Sequence, residues 1–423
     1  MMFRQRSAPS SLAEQSSDFV NNLPLRYRLA RLWQVVFLAS TVVGIVVLTA
    51  LLFNIVNGAF GLAAVQVTVD PDTLARDGVP LGDQSKEQLV QILGETLKPA
   101  VYQRLEAEKS FERRSRKEVY DLVIERVVEP KVKQTWPLFD SLLRRQEILA
   151  EIADKYPGAE VQFLSWMNSS FLTRPQSSQA ERAGVRTAIL GSLGIIAVTI
   201  VVAFPVGVCA AIYLEEYARD NWLNRLIRTN INNLAGVPSI IYGMLGLAIF
   251  VRALEPLTSG AMFGLVEDPT TANGRTILSA GLTLALLILP VIIINGQEAI
   301  RAVPKSLREA SLALGATQWQ TVWAHVLPNA LPGILTGTIL AMSRAIGETA
   351  PLVVVGASTF VIRDPTGPFS KFTALPIQIY QWTSRPQAEF RNLAAAAIIV
   401  LLVLLLALNA TAILLRNRYS RRL

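Results

Sequence analysis

Two opposite charges, Arg344 and Glu348, stand four residues apart inside an apolar run from about 331 to 357. On a helix that spacing is about 6 Å of rise and puts both side chains on one face. A charge at the bilayer centre costs roughly 2.5–3.5 kcal/mol on insertion scales, so such residues face a bundle interior or a water-filled path. Two chemistries are open to the pair. It can be a structural ion pair pinning helices together, or a site for a charged solute crossing the membrane. Pro351 stands four residues after Gly347 and removes a backbone bond to its carbonyl, which makes Gly347 and Pro351 a hinge. The helix is therefore weak at Glu348. That suits a moving or partly unwound segment, and an ordinary packing kink gives the same pattern.

The composition sets the environment. Of 423 residues 51% are hydrophobic and only 17% charged, which describes an integral membrane protein. A net charge of +8 would also suit nucleic acid, but its distribution excludes that partner. Arg4, Arg6, Arg26, Arg28 and Arg31 precede the first apolar run, and Arg416, Arg418, Arg421 and Arg422 follow the last. This positive-inside pattern places both termini in the cytoplasm and requires an even number of spans. Cys209 and His325 are the sole cysteine and histidine, so neither an intrachain disulfide nor a His/Cys metal site is expected. There is no Walker-type phosphate loop and no Ser/His/Asp constellation. Nucleotide hydrolysis, where needed, falls to another chain.

The expected fold is all-α with six membrane helices. A basic tail, 1–32, leads into a first span at 33–57, too long for a signal peptide. The next spans are 187–214 with Pro205, 234–251 with Gly236 and Pro238 near its start, and 276–295 with Pro290. The charged run at 331–357 is the fifth span, 393–415 the sixth, and a basic tail, 416–423, follows. Asn224 to Arg228 reads as an interfacial stretch. Arg363, Lys371, Arg385 and Arg391 fit poorly in an external loop, but the stronger bias at the termini decides. An external loop, 58–186, carries a largely helical insertion at about 70–160. There Ser85 to Gln88 resembles a capping box, and 138–156 repeats apolar residues at helical spacing until Pro157-Gly158. The insertion is either a solvated element without chemistry or a docking element for an external partner.

A second informative stretch, 298–331, lies between spans four and five on the cytoplasmic side. It reads as a short helix, a turn at Gly315 and a second amphipathic helix with Trp319 and Trp323 on one face, as interface anchors lie. A hairpin resting on lipid headgroups would look similar. Glu309-Ala310-Ser311, then Gly315, then Leu327-Pro328 resembles the EAA loop of ABC-importer permeases. Ser311 stands where that pattern usually has alanine, and His325 where an aliphatic residue is common. A finer resemblance is to PstA-type phosphate permeases of the binding-protein-dependent, MetI-like family. It rests on Arg344-Ala-Ile-Gly-Glu-Thr-Ala-Pro351, Ala211-Ile-Tyr-Leu-Glu-Glu-Tyr-Ala218 and Gly236-Val-Pro-Ser-Ile-Ile-Tyr-Gly243. It covers the first span and about 161–415, not the insertion.

That resemblance implies a MetI-like permease core in a bacterial inner membrane, moving phosphate inward by alternating access. It implies a second permease as heterodimer partner, two copies of a cytoplasmic ATPase and an external phosphate-binding protein. The ATPase would dock on Glu309, Ala310, Ser311, Gly315, Leu327 and Pro328. This chain would bind no cofactor, with ATP and Mg on the ATPase, and would not be an enzyme. The Arg344 fork would grip phosphate oxygens in pairs, Glu348 would compete for it, and Ser343 and Thr349 would add hydroxyl donors. Three other readings stay open. The chain could be a permease for another oxyanion such as sulfate or molybdate, or the paired PstC-type phosphate permease. It could instead be a membrane-anchored interaction protein, or an autonomous channel.

Overall fold

The structure is a computed structural model that describes residues 23–76, 78–265, 273–357 and 360–420. The tail to residue 22, with Arg4 and Arg6, and the terminal Arg421 and Arg422 lie outside the described residues. The chain falls into two units, Met1–Asn54 and Ile55–Leu423. Helix α1, Leu23–Ala59, starts ahead of the expected 33. Leu25, Leu29 and Leu32 repeat at helical spacing, and the arginines between them do not break a helix. Its apolar side chains, Phe37 and Leu48 among them, are exposed on all sides, as in a helix solvated by lipid.

The region between the first two spans is largely helical and also holds a sheet that the sequence did not reveal. Strand β1, Phe60–Gln66, follows α1 directly. Helices α2, Lys86–Thr96, α3, Pro99–Glu108, and α4, Arg116–Val123, form a small bundle. Ser85 and Gln88 close a reciprocal capping box on α2, as expected. Leu89, Ile92, Leu93, Val119 and Val123 meet in its core. Strand β2, Lys131–Pro137, runs into α5, Leu138–Leu143, and then α6, Arg145–Lys155. The helix expected over 138–156 therefore breaks at Arg144, and only Ile148 and Ile152 of its apolar set are buried. Strand β3, Glu160–Ser165, completes an antiparallel sheet in the order β2-β1-β3, with Leu62 opposite both Trp136 and Phe163. Helix α7 is Ser169–Thr173.

The membrane bundle follows. Helix α8, Arg186–Ile212, continues as a π-helical turn to Tyr217. Helix α9, Trp222–Ala235, and α10, Ser239–Gly246 with its π-helical extension to Ala253, replace the straight span expected at 234–251. They meet at 106°, because Gly236 caps α9 and Pro238 has no N–H with which to continue it. The Tyr242 hydroxyl donates to the Leu234 carbonyl at 2.7 Å and ties the bend. After the short α11, Glu255–Thr258, comes α12, Ile277–Arg301, the most enclosed helix, capped by Thr276 and packed along α8. Helices α13, Lys305–Ala313, and α14, Gln318–Thr321, form a hairpin. A π-helical turn then leads without interruption into α15, Leu327–Gly347. The boundary expected at 331 does not exist. Helix α16, Ala350–Val355, the buried α17, Leu375–Thr383, and α18, Ala388–Ser420, complete the chain. Among the described residues five helices are long and apolar enough to cross a membrane, and six if the bent α9–α10 pair is one span.

Leu89 is fully buried in the α2–α4 cluster. Leu89→Ala is expected to cost about 2–5 kcal/mol locally. The check is limited proteolysis, which should nick 86–128 earlier than in the unaltered chain while the membrane helices stay intact.

Candidate functional site

Pro351 decides the local geometry of the charged pair. Helix α15 ends at Gly347, Glu348 is extended (φ −74°, ψ 122°), and α16 restarts with Pro351 in its first turn, where no N–H is needed. The expected weak point is thus a break. Arg344 Nε lies 3.5 Å from Glu348 Oε1, a loose pair. Among the described residues Glu348 is the only hydrogen-bond partner of Arg344, so most of the five donors on its fork are uncommitted. The Arg344 side chain is 42% exposed and that of Glu348 19%. Beside them Gly347 borders open space, since a β-carbon there would meet nothing within 4 Å.

The other proposed pathway residues separate. The Thr349 side chain makes no capping bond and sits half-buried at the break. Ser343 points elsewhere: its hydroxyl lies 2.9 Å from both the Ile339 carbonyl and Asn409 Oδ1, tying α15 to α18. Its proton is therefore already committed. The fold also joins two motifs that lie a hundred residues apart in sequence. Gly243 of α10 packs on α16, where a β-carbon would come within 2.7 Å of Pro351 Cα. The Gly236–Gly243 bend thus backs the Arg344–Pro351 break.

At one end of the bundle the hairpin forms as read. Gly315 takes φ +84°, and the N–H groups of Gly315 and Ala316 bond the carbonyls of Leu312 and Ser311, a Schellman closure of α13. Thr317 and Gln320 then cap α14 reciprocally. Ser311, the departure from the family pattern, is buried and shares a 2.9 Å hydrogen bond with Thr321, joining the two arms. Glu309, Ala310 and Gly315 are exposed, while Leu327 and Pro328 are half-buried in the continuing helix. Trp319 and Trp323 stack with ring centroids 5.6 Å apart and stay exposed, as does Leu314 at 90%. An exposed apolar group of this kind marks a partner surface. His325 is exposed, and its carbonyl accepts a bond from Asn329.

Sequence reasoning missed the groups that hold the hairpin. Arg308 grips Glu216 Oε1 through Nε and Nη2 at 3.0 and 2.9 Å, and donates to the carbonyls of Val303 and Ile300. Arg301 takes Glu215 in two parallel bonds of 3.0 Å. Gln318 donates to the Glu216 carbonyl, and Arg228 to that of Leu214. In the sequence Glu215 and Glu216 stand out only as part of the Ala211–Ala218 segment that carries the resemblance. The available signal was two adjacent carboxylates closing an apolar span, with unassigned arginines at 301 and 308.

A multi-helix membrane bundle with a charge-bearing break inside it and an exposed amphipathic hairpin at one end defines a membrane transport subunit. The family model for "binding-protein-dependent transport system inner membrane component" matches residues 203–423. The chain belongs to that family and is an ABC-importer permease of the MetI type. It is 33% identical to a probable ABC transporter permease, YqgI, of Bacillus subtilis over 58% of this chain and 83% of that protein. It is 35% identical to the phosphate transport permease PstA of Yersinia pestis, over 54% and 71%. The PstA 1 protein of Mycobacterium tuberculosis is 36% identical over 56% and 72%. An inward-facing methionine ABC transporter structure covers 56% of this chain and 96% of its own at TM-score 0.39 and 22% identity. As a member of that family, the chain is a transport permease subunit.

Two results test this geometry. Glu216 and Arg308 have side chains only 10% and 18% exposed, and removing one partner of a buried pair costs about 3–5 kcal/mol. Arg308→Ala and Glu216→Ala should each lower the melting temperature of the solubilised chain, and the double variant should lose less than their sum. Strictly additive losses would rule out the pairing. Gly243→Val should push α10 off Pro351, costing roughly 1–3 kcal/mol by overpacking. The melting temperature of the solubilised variant, set against that of the glycine form, is the measurement that checks this.

Proposed function

We propose that the chain imports inorganic phosphate across a bacterial cytoplasmic membrane. It would work as one half of a heterodimeric permease, with two cytoplasmic ATPases on the hairpins and an external phosphate-binding protein. The observation that carries the reading is the uncommitted Arg344 fork at a backbone break inside an apolar bundle. The phosphate-permease names of several relatives support the solute. A guanidinium held loosely by a neighbouring carboxylate can exchange it for an oxyanion. Glu348 returns to the fork when the anion leaves, which keeps binding weak enough for conduction. Of the two hydroxyls, Thr349 stands at the break. Ser343, committed to Asn409, supports helix packing.

In this scheme the Glu215 end and both termini face the cytoplasm, and the sheet-bearing insertion faces outside. ATP and Mg reside on the ATPases, and this chain holds no cofactor. Gly347 and Pro351 act as the hinge. Glu309, Ala310, Ser311, Gly315, Leu327 and Pro328 belong to the arms through which ATPase closure reaches α15.

In reconstituted complexes phosphate, and not sulfate or molybdate, should stimulate ATPase activity. Arg344→Gln should reduce phosphate uptake to background while membrane insertion and ATPase co-purification stay normal. Uptake at the unaltered rate would overturn the role of Arg344. Glu309→Ala and Gly315→Val should leave the complex able to bind ATP while ATPase activity no longer responds to phosphate. An unchanged response in both would overturn the docking role.

A further inference from the structure

The insertion lies outside the matched residues 203–423, and its short helix α5 carries an unusual face. In α5 Ser141 points at the sheet, where its hydroxyl accepts the Leu62 N–H at 2.8 Å and donates to the Pro137 carbonyl at 2.7 Å. Phe139, Leu142 and Leu143 are spaced i, i+3, i+4 on the opposite side. They are 50%, 70% and 69% exposed. Phe163, opposite Leu62 on the adjoining strand, is 56% exposed. A water-soluble face does not expose leucines of this size together without a partner.

The position of α5 says what the partner is. The Phe139 N–H donates to Asn57 Oδ1 at 2.7 Å, and Asn57 lies in the last turn of α1, where the apolar run ends. One residue on, Gly58 packs against Ala395, at the start of the apolar run of α18, where a β-carbon would come within 3.3 Å. The last turn of α1 and the start of the apolar run of α18 therefore meet where α5 begins, and the end of each apolar run marks the edge of the hydrocarbon layer. Arg144 and Arg145 follow the apolar face at once and are exposed, with Arg144 paired to Glu147. Apolar residues beside arginines at this depth match the headgroup–acyl boundary.

We propose that α5 is an interfacial anchor. Leu142 and Leu143 enter the bilayer leaflet on the insertion's side, Arg145 meets lipid phosphates, and the sheet is thereby held at the membrane surface. The proposal rests on the membrane location of the chain and is independent of the solute transported.

The test uses the full chain in phosphatidylethanolamine–phosphatidylglycerol liposomes. With Cys209→Ser as background, nitroxides are placed at Leu142→Cys, at Leu143→Cys and, as an aqueous reference, at Lys117→Cys on α4. At 142 and 143 collisions with oxygen should exceed those with a water-soluble nickel complex severalfold, and the order should reverse at 117. In the unlabelled chain a phospholipid with a photoreactive group near its headgroup should cross-link within 138–145. Nickel accessibility at 142 and 143 would place α5 in water. Shelter from both reagents would mean that a protein covers it. Either result, or an absence of lipid cross-links in 138–145, overturns the proposal.

Discussion

The structure depends on one backbone constraint inside the apolar bundle. A proline four residues after Gly347 cannot coexist with an intact helix, so α15 stops and α16 starts afresh. In hydrocarbon, freed backbone groups must find partners or lie where they are buried in protein or line a water-filled space. Here the Glu348 N–H bonds the Ala345 carbonyl, and the Thr349 carbonyl accepts from Val353. Gly243 lets the α10 backbone press on Pro351 from behind. The bend of α9 into α10 is itself the product of Pro238 and is tied by Tyr242. Two proline-made breaks therefore brace each other beside the charged pair.

The second fixed point is electrostatic. Glu215 and Glu216, where α8 runs out, hold Arg301 at the end of α12 and Arg308 on the hairpin. Each contact is a charge-assisted fork, stronger and more directional than a lysine pair would be. Arg308 also donates to the carbonyls of Val303 and Ile300, at and just beyond the last turn of α12. The hairpin is thus built onto the bundle. Its outer side keeps Leu314, Trp319 and Trp323 exposed. Surface that the chain itself does not bury is left for a partner.

Much of this was legible, and what was not has physical causes. Spans, caps and the Gly315 turn follow from local composition, and Ser85, Thr317 and Gly315 behave as their types dictate. The break was visible in Pro351. The sheet was hidden because β1, Phe-Gly-Leu-Ala-Ala-Val-Gln, continues an apolar helix without punctuation. Its partners, moreover, are seventy to a hundred residues away, as in the pairing of Gly61 with Pro137 and of Phe60 with Ser165. Strand pairing at that separation leaves no local period to read. The partner of Ser343 was hidden for a similar reason: Asn409 belongs to a distant helix. The join of hairpin and span was missed because the continuous apolar run begins only near 331, whereas α15 starts at Leu327 with Pro328 in its first turn, where proline is tolerated.

That join bears on how the two fixed points communicate. From Gln318 to Gly347 the chain is one run of 30 helical residues, about 45 Å at 1.5 Å per residue. Its near end carries the exposed tryptophans and its far end carries Arg344. A displacement applied at Trp319 therefore reaches Arg344 through a continuous hydrogen-bonded rod, softened only at the π-helical turn Val322–Val326 and at Pro332. Beyond Gly347 the rod ends, and α16 packs mainly on α10 and also on α12. Movement of α15 thus shifts Arg344 relative to α16 while Glu348, in the extended link, follows only in part. The distance between the two charges becomes the quantity that the motion changes. A loose 3.5 Å pair across a break can vary in this way, whereas the same pair on an unbroken helix would move as one body.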